Sequence, residues 1–326
     1  MLELSTDLAL TVRRPSGEDA RAIAELIKAA DIVDFGPFDT TTEDVIEEMS
    51  AVELETDAWL LDTPDAGPVA MAWIEGSGAG VSWRTSLIVH PEWRGRGIGT
   101  ALARIVENRA REHVSEAPQG SRVSLYGWVK GGSDPVLRWA DALGFAVIRR
   151  SLRMRIDMTE APPAPEWPVG VTVRTYRLGA DDRATFETVE EAFSDHWGHV
   201  PMDYDEWLRR MDVPTLDPGL WFVATRGDEI LGTSLCTTIP DAGWVRSLGV
   251  RREWRNRGLG LALLLHSFGV FWERGTPAVA LGVDAESLTG ATRLYEKAGM
   301  RVVERFDRVS KVLRDGVDTA VRALAI

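Results

Sequence analysis

Cysteine is nearly absent: of 326 residues only Cys236 carries a thiol. Internal disulfides and any CxxC zinc or redox motif are thereby excluded. Its neighbours Ser234, Leu235 and Thr237 read as a strand, so Cys236 is expected as a packed core thiol rather than a nucleophile. No apolar run reaches the roughly 18 residues that a membrane span needs. Residues Met1 to Asp7 lack the basic start and apolar core of a secretory signal, which makes a cytoplasmic location, with no membrane partner, the expectation. Positive charge is also short, with 37 basic against 50 acidic side chains and a net charge of -13. That balance excludes nucleic acid as the main partner and suits cationic acceptors such as amines, although solubility alone also accounts for it. Lys28, Lys130, Lys297 and Lys311 are the only lysines, a bias that carries no mechanistic weight.

What is present is ordinary in composition and unusual in arrangement. Hydrophobic residues at 44% and charged residues at 27% describe a globular chain, long enough for two domains that each bury a core. Glu92-Trp93-Arg94-Gly95-Arg96-Gly97-Ile98-Gly99 returns 161 residues later as Glu253-Trp254-Arg255-Asn256-Arg257-Gly258-Leu259-Gly260. Each copy follows an apolar, β-branched stretch (Leu87-Ile88-Val89; Val245 to Val250) and precedes a Leu/Ala-rich helical segment. Leu10-Thr11-Val12-Arg13 matches Val171-Thr172-Val173-Arg174 at the same offset, and Trp59-Leu60-Leu61 pairs with Trp221-Phe222-Val223.

Each half therefore predicts a strand, one or two helices, an antiparallel meander, the glycine turn with its helix, then a strand, a helix and closing strands. The fold class is α/β (α+β, a mixed sheet) in two tandem copies. Residues 159–168 hold four prolines in ten positions, a composition that forms neither helix nor central strand. The expected boundaries are a first domain over 8–157, a linker over 158–170 and a second domain over 171–316.

The turn has a definite chemistry. Glycines remove Cβ atoms where main chain must approach a ligand, the following helix offers unpaired N–H groups and the positive end of its dipole, and arginines nearby favour phosphate oxygens. A pyrophosphate-bearing ligand is the expectation. A Walker A loop is excluded because neither copy has its lysine, and a dinucleotide fingerprint because these turns lie mid-domain.

These residues resemble the GNAT superfamily of acyl-CoA N-acyltransferases, whose hallmark [RQ]-x-x-G-x-[GA] follows a bulged strand; both copies match, and the likeness runs from about Leu10 to Met154 and from Val171 to Lys311. The resemblance implies acetyl-CoA (coenzyme A) held by Arg255, Asn256, Arg257, Gly258, Leu259, Gly260 and Leu261. It implies pantetheine lying along Leu248, Gly249 and Val250. In the first copy the matching residues are Leu87, Ile88 and Val89, with Arg94, Gly95, Arg96, Gly97, Ile98, Gly99 and Thr100. Ser287 stands where the family usually has a cofactor-contacting asparagine.

Ala291 to Met300 fits the family pattern A-x-x-x-Y-x-x-x-G-[FM], in which the tyrosine, here Tyr295, commonly protonates the departing thiolate. Aligned on Gly144, the first copy has Ala140 at that place, which predicts a degenerate domain that keeps the cofactor turn and adds little chemistry. Candidates for taking the ammonium proton are Asp195 and His196, with Glu190 and Glu191 beside them, whereas His266 on the apolar helix is expected as a core histidine. No metal or cysteine nucleophile is called for.

The expected reaction is acetyl transfer to a primary amine of a small molecule by direct attack in a ternary complex. The tandem layout is similar to that of the mycothiol synthases, which acetylate a cysteinyl conjugate; their proposed base aligns with Trp244. Antibiotic modification, protein N-acetylation and non-catalytic acyl-CoA binding remain alternatives. Two packed halves suit a monomer that mimics a dimer internally, with a homodimer the other option.

Overall fold

The computed structural model describes residues 10–34, 40–65, 67–77, 80–197, 199, 201–211, 216–286 and 290–318. Contacts divide them into two compact units, one formed by residues up to Ile148 together with the stretch from Asp307, the other by Arg149–Phe306.

The first unit begins with β1 (Thr11–Arg13), followed by helices α1 (Ala20–Asp34), α2 (Thr42–Ser50) and α3 (Leu54–Asp57). Helix α2 starts at a reciprocal cap, in which the Thr41 hydroxyl accepts from Asp44 N–H and the Asp44 carboxylate accepts from Thr41 N–H. The meander β2 (Ala58–Thr63), β3 (Gly67–Ser77) and β4 (Ser82–Val89) is antiparallel throughout. Helix α4 (Ile98–Glu112) then covers the sheet, and β5 (Val123–Lys130) and helix α5 (Asp134–Ala142) follow. Along α4, Ile98, Leu102, Val106 and Ala110 recur every fourth residue as one buried stripe, while Glu107 and Arg111 pair on the outer side.

The second unit opens within β6 (Ala146–Asp157), from Arg149 on, then has β7 (Thr172–Thr175), α6 (Asp182–Phe193) and α7 (Tyr204–Met211). The meander β8 (Trp221–Arg226), β9 (Glu229–Ile239) and β10 (Ala242–Val250) leads to α8 (Leu259–Glu273), β11 (Ala278–Asp284), α9 (Ala291–Lys297) and β12 (Arg301–Arg314). Helix α8 carries no charge before Glu273 and buries Leu259, Leu263, Leu264, Phe268 and Phe271, as a helix apolar on most faces must.

The compact units do not follow contiguous boundaries at 157 and 171. Strand β6 pairs with β11 in antiparallel register from Ser151↔Asp284 to Asp157↔Ala278, so residues that precede the proline-rich stretch complete the second unit. Strand β12 starts in the second unit, and its later residues, from Asp307, lie beside β5 and complete the first. There Lys311 bonds Glu107 and Arg314 reaches the carbonyl of Ser121, ties that anchor the strand by charge as well as by its ladder. The sequence predicts a closing strand over Met300 to Phe306; the strand runs on to Arg314. The proline-rich residues 159–168 form neither helix nor strand.

Cys236 is fully buried, which pushes its thiol pKa up to about 11, and its Sγ lies 3.5 Å from Ser234 Oγ. His266 packs edge-on against Phe222 at 4.7 Å. No helix of the described residues is long and apolar enough to cross a membrane.

Candidate active site

Strands β10 and β11 run parallel and pair only at Gly243, Trp244 and Val245. Beyond Val245 they diverge, so that Leu248, Gly249 and Val250 pair with Ser234, Thr233 and Gly232 of β9 on one edge and with no strand on the other. That free edge presents alternating main-chain donors and acceptors to a linear amide chain. The divergence begins at a bulge: Val245 opposes Cys236 and Ser247 opposes Leu235, leaving Arg246 as the extra residue. In the first unit β4 and β5 also diverge, after Arg84↔Tyr126, but β4 keeps eight unbroken pairs with β3 and has no bulge.

At the end of β10 the chain turns through Asn256 (φ 60) and Gly258 (φ 82) into α8; the first unit does the same with Gly95 (φ 76) and Gly97 (φ 82). Left-handed backbone at two positions is natural for glycine and tolerable for asparagine, and it orients successive N–H groups into one concavity. Space above Gly258 and Gly97 is open, and neither α8 nor α4 has a side-chain cap on its first N–H groups. Both turns thus fit a pyrophosphate.

The arginines of the turns also have partners within the protein. Arg255 sends Nε to the carbonyl of Val250, Nη1 to Asp195 at 2.8 Å and Nη2 to the carbonyl of Ala192. Arg94 likewise bonds the carbonyl of Val89 and both oxygens of Asp34. Arg257 lies over the Trp254 ring and Arg96 over that of Trp93. Each leading arginine ties its turn to the end of the unit's first long helix, and backbone N–H groups are left for the ligand.

Between α6, β10, β11 and α9 lies a cleft of about 140 Å³ whose walls include Phe193, Asp195, His196, Trp197, Ser247, Leu248, Asp284 and Tyr295. Three residues picked from sequence, Tyr295, Asp195 and His196, therefore meet in one cavity. Tyr295 is half-buried on α9, and burial pushes its pKa up to about 12, so the phenol stays protonated at neutral pH. Burial, followed by the nearby charge of Arg255, lowers the His196 pKa, so its imidazole is neutral at pH 7. Asp195 is gripped by Arg255 and Arg252, which hold its carboxyl below the usual range.

Glu191 accepts from Arg251 and from Arg252 N–H, Glu190 lies 3.4 Å from His199, and neither lines the cleft. Trp244 sits in β10 opposite Thr237 and is likewise not among the lining residues. Ser287 lies outside the described residues.

The end of α9 fixes the tyrosine. Met300 N–H bonds the carbonyl of Tyr295 and Gly299 N–H that of Glu296, closing the helix through a left-handed glycine. Helix α5 closes identically, with Phe145 N–H on Ala140 and Gly144 N–H on Asp141. Ala140 and Tyr295 thus hold the same position in the same motif. The cleft above Ala140, about 230 Å³, is walled mostly by apolar groups such as Leu87, Val106, Trp139 and Phe145.

Arg149, Arg246 and Asp284 line the second cleft and were not anticipated. Arg149 comes from β6, upstream of the proline-rich stretch, and bonds Asp284 at 2.8 Å and Glu286 at 2.7 Å. No periodicity in sequence signals that placement.

A splayed parallel strand pair beside an uncapped, glycine-led helix defines the class of acyl-CoA-dependent acyltransferases. The model of the Acetyltransferase (GNAT) family matches residues 29–145 and again 183–300, and the chain belongs to that family, whose acyl donor is acetyl-CoA. It is 34% identical over 242 residues to a mycothiol acetyltransferase of Thermomonospora curvata, covering 74% of this chain and 77% of that one. A GCN5-related N-acetyltransferase from Sphaerobacter thermophilus is 38% identical and superposes with a TM-score of 0.85 over 95% of this chain and 98% of that one. A tandem GNAT protein from the clavulanic acid biosynthesis pathway, 18% identical, shares the fold with a TM-score of 0.70 over 94% of this chain and all of that one.

Proposed function

We propose that the second unit transfers acetyl from acetyl-CoA to a primary amine of a small molecule, by direct attack while both are bound. The observation that carries this reading is the meeting of Tyr295 and His196 in the cleft where β10 and β11 diverge. When bound, acetyl-CoA supplies the activated thioester. The N–H groups of the turn from Asn256 to Leu261 hold its pyrophosphate, and the free edge of Leu248 to Val250 aligns its amide chain. His196, neutral at pH 7, takes the ammonium proton on its imidazole, and Tyr295 Oη holds the proton that the departing sulfur requires. Asp195, already engaged by two arginines, orients the segment that carries His196 rather than serving as the base.

The first unit keeps the turn and lacks the phenol, so its reading is cofactor binding with little chemistry. A second reading of the acceptor, a cysteinyl conjugate of the mycothiol type, is favoured by the name of the relative matched over 77% of its length. Thiol release from acetyl-CoA against a broad amine panel tests both. Turnover with simple amines supports the first reading, turnover confined to a cysteinyl sugar conjugate the second, and none with either overturns the enzymatic role.

A further inference from the structure

The bulge in β10 does more than separate that strand from β11. It inserts Arg246 into the wall of the cleft, where the guanidinium is exposed and, among the described residues, pairs with no acid. Every other charged group of that wall already has an opposite partner, Arg149 in Asp284 and Glu286, and Asp195 in Arg252 and Arg255. The next residue, Ser247, has a buried Oγ with no hydrogen-bond partner. A buried hydroxyl seeks a hydrogen-bond partner, and this one is placed to take it from a group bound in the cleft.

The face concerned is the acceptor's. Gly249 approaches Ala192 and Phe193 of α6, and alternation along the strand puts Ser247 on that same face, toward Asp195, His196 and Trp197 rather than toward α8. The first unit has no counterpart: unbulged β4 has Thr85 and Ser86 there, and its cleft is mostly apolar.

We infer that Arg246 and Ser247 select the acceptor by binding an oxyanion, a carboxylate or a phosphate ester, carried on the same molecule as the amine. This deepens the acetyltransferase reading and rests on it. A guanidinium donates two parallel hydrogen bonds to such a group, and the adjacent hydroxyl adds a third. An amine lacking the anion leaves both unsatisfied, a mismatch that discriminates more sharply than a missing methylene.

The test uses the full chain, acetyl-CoA and matched amines: amino acids against their amides, and aminoalkyl phosphates against the corresponding amino alcohols. Wild type is expected to favour the anionic member of one series by about tenfold or more in kcat/KM, with the favoured series distinguishing carboxylate from phosphate. Arg246→Ala is expected to shrink that ratio toward one, mainly through KM for the amine, and Arg246→Lys to restore some of it. Equal kcat/KM for anionic and neutral members overturns the inference alone, as does a loss that appears in KM for acetyl-CoA. Failure to acetylate any amine overturns the acetyltransferase reading first, and this inference with it.

Discussion

Arg255 donates to Asp195 at 2.8 Å, across 60 residues of sequence, and so joins the glycine turn to the end of α6, where His196 and Trp197 line the cleft. Asp195→Asn weakens that joint without changing side-chain size. The expected outcome is a rise of about tenfold in KM for acetyl-CoA with a smaller fall in kcat. If kcat collapses and KM holds, Asp195 is the base and the positioning role is wrong.

Tyr295→Phe removes one hydroxyl and keeps the ring that packs with Leu294 and Met300. A general acid contributes about 100-fold or more, so kcat is expected to fall by that order while KM for either substrate changes little. Full turnover by a folded Phe variant would dismiss the acid.

As the proposed base, His196 is expected to set the acid limb of activity. Its lowered pKa means that the neutral, proton-accepting ring exists above a midpoint below the usual 6.5 and is lost as pH falls through it. The kcat profile at saturating substrates is expected to drop on the acid side below pH 6.5. Because Tyr295 keeps its proton to about 12, the profile stays level through pH 9. A His196→Gln variant that keeps the acid limb points to another base.

Gly258→Ala and Gly97→Ala place a Cβ on left-handed backbone in the two turns, at a cost of about 1–2 kcal/mol each. With chemistry in the second unit, the first substitution is expected to lower kcat/KM for acetyl-CoA at least tenfold more than the second. Equal losses from steady-state assays would put the two units on the same footing.

Away from the cleft, buried Asp181 binds Arg174 through both carboxylate oxygens and also Arg177, and these guanidinium groups hold its carboxyl far below the usual range. Asp181→Asn is expected to cost about 2–3 kcal/mol in urea unfolding at pH 7. Since the folded pKa is depressed, the charge contributes fully above the unfolded value near 3.8 and is lost as pH falls toward the folded one. The gap between wild type and variant should therefore narrow below pH 4; a gap constant with pH refutes the ion-pair origin.

Much of the site was legible because it is local. The glycine turn needs contiguous residues, and Tyr295 and Ala140 are each fixed by a glycine four positions on, so alignment on that glycine found them. A bulged strand was implied by the resemblance, but which residue it displaces, Arg246, is set by cross-strand register, which a single strand does not encode. Arg149 was hidden because β6 leaves the half of the chain that encodes it. The partners of the leading arginines were hidden for a related reason: Asp34 and Asp195 lie 60 residues upstream, at helix ends that only the folded sheet brings near.

The path of β12 has a consequence for synthesis. Asp307 onward completes the first unit, so residues up to Ile148 wait for a strand made only after the whole of Arg149–Phe306. Until then β5, with its buried Val123 and Leu125, is an open edge that invites mispairing. The first unit therefore cannot be completed before the second is synthesised, because the strand that closes it lies downstream of Arg149–Phe306.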